Sequence, residues 1–228
     1  MSWLSKSRDS VPVVKMNGEL GPNSEAIRDK GECELTEEQV LQVLARVCVY
    51  MREQRVQYRS IGKPLDGEQM AGTKLFFSPT LLASVKVVQL AGHRITEPSV
   101  CKEARAWGFQ GFPELTHMAS VTFEDVLVFH EEITERLLFQ ALVRSVQIQV
   151  LGMDRYVELY VRAFLDTRWR FSVPLEAHIF ELEAKFAADR KKPFSVEDEV
   201  RISVSKHRYE LFELLSATLE PSGVHCSH

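Results

Sequence analysis

Residues 133–149 read Ile-Thr-Glu-Arg-Leu-Leu-Phe-Gln-Ala-Leu-Val-Arg-Ser-Val-Gln-Ile-Gln. We read this stretch as the helix that decides the fold, closed by a glycine stop at Leu151-Gly152. Side chains four apart lie on one helical face, so Gln140 and Arg144 look the same way.

Immediately upstream, residues 119–129 alternate near the start and then become continuously apolar, which predicts one partly buried strand. Downstream, Asp154 is a capping residue for a helix from about Arg155 to Leu165, with Tyr156, Tyr160 and Phe164 on one side. Pro174 opens another helix through about Ala187, and Ser195 caps a last one from Val196 to about Leu214 or Leu215.

Closer to the N-terminus, Thr36-Glu37-Glu38-Gln39 has capping-box spacing. The helix it starts runs to about Gln57, with Val40, Leu44, Val47 and Met51 as its core stripe. Residues 60–74 contain Gly and Lys without a phosphate-loop pattern and read as a connector. Ser78-Pro79 opens a short helix through Leu82 that feeds a strand over Val85–Leu90, ended by Gly92. Pro98 to Trp107 is a helix candidate, and Gly108 to Pro113 a loop.

The chain of 228 residues is 45% hydrophobic and 26% charged, with a formal charge of −4. That balance gives no sequence-wide reason to bind nucleic acid, and Arg190-Lys191-Lys192 reads as a solvated helix end. Nothing approaches the roughly 18 apolar residues of a membrane span, and no apolar leader opens the chain. The four cysteines, Cys33, Cys48, Cys101 and Cys226, form no C-x-x-C pair. Reduced thiols in the cytoplasm are therefore expected. Residues 1–34 are expected to be a flexible arm, 35–215 one globular domain, and 216–228 a flexible tail.

The order of these pieces resembles bacterial zincin-like metallopeptidases of the gluzincin type. In that family a strand precedes a helix bearing H-E-L-x-H-x-x-Q, then a Leu-Gly turn and an aromatic-rich helix, and a later P-L-E supplies the third zinc ligand. The matching pieces here are Gln140 to Gln147, Leu151-Gly152, Tyr156 to Phe164, and Pro174-Leu175-Glu176. The segment Phe76 to Leu82 followed by Val85-Lys86-Val87 is similar to the family's upstream portion, so the resemblance covers about residues 75–187.

The resemblance implies an α+β, zincin-like domain with a small sheet against several helices. It also implies a lost peptidase site. Two His at positions i and i+4 bind one Zn²⁺ while the intervening Glu reaches its bound water. Gln140, Ala141 and Arg144 stand at those three positions, and only Glu176 survives. No metal or cofactor is expected. The cleft residues to test are Gln140, Arg144, Glu176, His178, Tyr156 and Tyr160: on the resemblance Arg144 supplies the positive charge in place of zinc and pairs with Glu176, the alternative being that both are solvent-exposed on separate helices.

Three functional classes follow. The first is a binding or regulatory module that holds a small molecule or peptide in the former cleft. The second is an enzyme without zinc that reuses Gln140, Arg144, Glu176 and His178 on a small apolar substrate. The third is an interaction protein whose partner contacts the helix at 36–57 or the terminal helices. His117, His130 and His178 form a further set whose convergence on a metal is open, with Glu131, Glu132 or Glu181 as added carboxylates. The aromatic series Tyr156, Tyr160, Phe164 and Trp169 reads either as core or as the wall of an apolar pocket.

Overall fold

A computed structural model describes residues 35–109, 115–167 and 173–206. The expected arm at 1–34, most of the loop at 108–113, Trp169, the end of the last helix and the tail at 216–228 lie outside them. The elements are α1 (Glu37–Arg59), α2 (Gly67–Thr73), α3 (Pro79–Ser84), β1 (Lys86–Gln89), α4 (Ser99–Ala106), β2 (Ser120–Phe123), β3 (Val126–Phe129), α5 (Glu135–Leu151), α6 (Met153–Thr167) and α7 (Pro174–Ala188). A further helix covers 196–206. This is an α+β architecture, helices around one small mixed sheet.

The helix starts follow their caps. Thr36 and Gln39 form the expected reciprocal box at α1, at 2.8 and 3.3 Å. Ser78 Oγ accepts from Leu81 N at the start of α3, Thr134 Oγ1 from Leu137 N at α5, and Ser195 Oγ from Asp198 N. Gly152, with φ of 78°, separates α5 from α6 in a backbone conformation that side-chain-bearing residues avoid.

Three expectations need correction. Asp154, expected as a cap, lies inside the first turn of α6, which begins at Met153. The connector at 60–74 contains α2, which has its own capping box between Asp66 and Gln69. The run at 119–129 is a hairpin rather than one strand: β2 and β3 pair antiparallel, with Phe123 opposite Val126. The two turn residues are Glu124, at φ 60°, and Asp125. Positive φ at the first turn position suits the twist of a tight hairpin, though glycine usually fills it.

The sheet order is β1-β3-β2, with β1 parallel to the central β3. Alternate residues of β3 face opposite sides. Val126 and Val128 enter an apolar cluster with residues of α1, α4 and α6. Leu127 and Phe129 enter a second, with residues of α3, α5, α7 and the helix at 196–206. In the second cluster Phe139 of α5 stacks on Phe186 of α7 with ring centres 4.3 Å apart and planes at 13°, and Phe76 meets both edge-on. Burying each such side chain contributes about 2–3 kcal/mol. These rings fix α7 antiparallel to α5, which aligns the polar groups described next.

Candidate functional site

Three polar residues of α5, Gln140, Arg144 and Gln147, are spaced four and three apart and face α7. Each meets a different point of it. Gln140 Nε2 donates to Glu183, which also pairs with Arg136. Arg144 donates from Nε to Glu176 Oε1 at 3.1 Å and from Nη2 to Oε2 at 2.8 Å. Gln147 Nε2 donates to the Leu175 carbonyl at 3.0 Å.

The Arg144–Glu176 pair is buried, with side-chain exposures of 7% and 2%. Burial by itself would lower the pKa of Arg144. The Glu176 carboxylate outweighs it by charge and hydrogen bonding, helped by Tyr156 and Tyr160, and holds the guanidinium above its ordinary value. The planar fork matched to a carboxylate is the geometry that makes a buried ion pair tolerable.

Beside this pair lies a cavity of about 120 Å³, bounded by α1, α4, β2, α5, α6 and α7. One water needs roughly 10–15 Å³ on the same measure, so the space is larger than a single solvent site. Its wall is mostly apolar, and Arg144 and Glu176 are the only charged residues among the described ones lining it. Tyr156 and Tyr160, one turn apart on α6, contribute rings with centres 6.2 Å apart.

Four of the six residues singled out from the sequence, Arg144, Glu176, Tyr156 and Tyr160, therefore line one cavity. Gln140 does not, because Glu183 draws it to the far end of the α5–α7 contact. His178 is buried but is not part of the cavity wall. The cavity also contains residues that the sequence reading left in the core or did not single out: Met51 of α1, Met118, and Ser120 and Thr122 of β2.

The other sequence candidates disperse. His130 Nε2 accepts from Ile95 N at 3.3 Å while Nδ1 meets the Met118 carbonyl. The ring thus braces two backbone segments, those of Ile95 and Met118. His117 is exposed in a short 3-10 turn. Among the described residues no group of three or more His, Cys, Asp or Glu side chains is arranged to hold a metal ion.

Positions 140, 144 and 176 do not fit zinc. Gln140 is directed to Glu183, and the Arg144 guanidinium occupies both oxygens of the one carboxylate the resemblance would assign to the metal. Cys101 lines the cavity, yet burial pushes its thiol up to about 11, which leaves it protonated and unreactive near neutral pH.

No family model, curated protein or solved structure matches this chain. No helix among the described residues is long and apolar enough to cross a membrane.

Proposed function

We propose that this chain is a catalytically degenerate, zincin-like protein that acts as a binding or regulatory module, holding a small molecule or peptide in the former active-site cleft. The observation that carries this reading is the apolar cavity whose only charged wall residues, among the described ones, are the paired Arg144 and Glu176. An uncharged interior space with one polar corner suits ligand recognition better than hydrolysis, which needs an activated water and a base.

The zincin part of the proposal draws support from two features. The helix carrying Pro174-Leu175-Glu176 returns to α5 and sets its carboxylate against position 144, where the second histidine of the motif would stand. A cation there satisfies the carboxylate without a metal. The enzymatic alternative needs Gln140, Arg144, Glu176 and His178 around one substrate, an arrangement that the Gln140–Glu183 contact does not favour.

Two measurements test the reading. Elemental analysis of protein purified from zinc-supplemented medium is expected to find metal far below one equivalent, and stoichiometric zinc removed only with unfolding would overturn it. A thermal-shift screen of small apolar compounds should find stabilising ligands, since a ligand at a hundred times its Kd adds about 2.7 kcal/mol to stability.

A further inference from the structure

Arg144 uses two of its three guanidinium nitrogens on Glu176. Nε and Nη2 form the fork, whereas Nη1 donates to no protein acceptor among the described residues. Nη1 is not sealed in the interior either, because among the described residues the fully enclosed side-chain atoms without partners are Ser145 Oγ and Gln147 Oε1. Arg144 lines the cavity. An N–H on the wall of a mostly apolar space is costly until an acceptor meets it.

The charge of that acceptor follows from Glu176. Its carboxylate already accepts from the guanidinium, so a second anion at Nη1 would lose its hydration and lie close to a like charge. A neutral oxygen incurs neither penalty. The remainder of the wall, including Met51, Met118, Val157 and Phe164, asks for an apolar body, and the methionines can adjust to its shape.

We infer that the cavity takes an uncharged apolar molecule bearing one carbonyl-type oxygen, as in a ketone, ester or amide, with that oxygen accepting from Nη1 of Arg144. This rests on the binding role proposed above and names its ligand class.

The test compares three probes of similar size on the full chain: acetophenone, ethylbenzene and benzoate, with dissociation constants from NMR titration. Acetophenone should bind at least about fivefold tighter than ethylbenzene, the worth of one hydrogen bond, and benzoate should be the weakest. In the double variant Arg144→Met with Glu176→Met, the ketone and the hydrocarbon should bind within about twofold of each other, since no donor remains to tell them apart.

If none of the three binds, the binding role fails and the inference with it. If ethylbenzene matches acetophenone in the unmodified protein, or benzoate is tightest, the cavity remains a binding site and the inference alone is overturned. The three-probe comparison in the unmodified protein decides the matter even where the double variant does not fold.

Discussion

Arg144 and Glu176, 32 positions apart in sequence, meet through two parallel hydrogen bonds in the interior between α5 and α7. Each charge is made tolerable there by the other. Removing one partner leaves an uncompensated buried ion, whereas replacing both with apolar groups removes the need for compensation.

The first prediction follows directly. Arg144→Ala and Glu176→Ala should each lower unfolding stability by about 3–5 kcal/mol, and Arg144→Met with Glu176→Met should cost far less than the sum. Urea denaturation of the four proteins of the cycle measures this. Additive losses would mean that the pair does not function as a unit.

Ser145 offers a prediction in the opposite direction. Its hydroxyl is fully buried in α5 without a hydrogen-bond partner among the described residues. Ser145→Ala removes an unmet polar atom and improves helix propensity, so the variant should gain about 1 kcal/mol in urea unfolding.

Asp125 joins the hairpin turn to α1. Its carboxylate receives Arg55 Nε at 2.6 Å and also pairs with Arg59. Asp125→Asn should cost roughly 1–2 kcal/mol, because the arginines are only partly shielded from water. The loss should shrink in Arg55→Gln/Arg59→Gln protein, as a double-mutant comparison by denaturant unfolding would reveal.

Alkaline pH should weaken the fold. Burial pushes the Cys48 thiol up to about 11, with Asp154 adding to the effect, and burial does the same for Cys101. Both folded values lie above that of an unfolded thiol, so the unfolded state loses these protons first. The stabilisation is complete below an unfolded thiol pKa of about 8.5 and is lost as pH rises through about 11. Urea midpoints should therefore fall between pH 8.5 and pH 11, and iodoacetamide at pH 8 should modify these two cysteines much more slowly in folded than in unfolded protein.

How far the site could be read from the sequence depends on which alternatives the chain left degenerate. Glu176 and Glu183 lie seven residues apart, two turns along one face of α7, so spacing alone could not assign Gln140 and Arg144 their separate carboxylates. The Tyr156 and Tyr160 spacing did point to one wall. Met51, by contrast, falls in an ordinary core stripe of α1, and periodicity does not distinguish a residue against packed neighbours from one against a cavity. The hairpin was hidden because Glu124-Asp125 lacks the glycine that usually marks a two-residue turn. For α2, Gly67 and Gly72 suggested a loop although Asp66-x-x-Gln69 carries the same cap signal that revealed α1. Apart from these two segments, caps and apolar spacing located the described helices and β1 to within a few residues.

Whether the space beside Arg144–Glu176 receives a ligand decides the proposed function. Methyl NMR during titration with ethylbenzene tests it most directly, following Met51, Met118 and Val157 in the cavity wall and Val196 and Val200 in the opposite apolar cluster. Saturable shifts are expected at the first three, with the last two unmoved. Unchanged cavity methyls up to the solubility limit, or shifts spread equally over both clusters, would contradict the binding role.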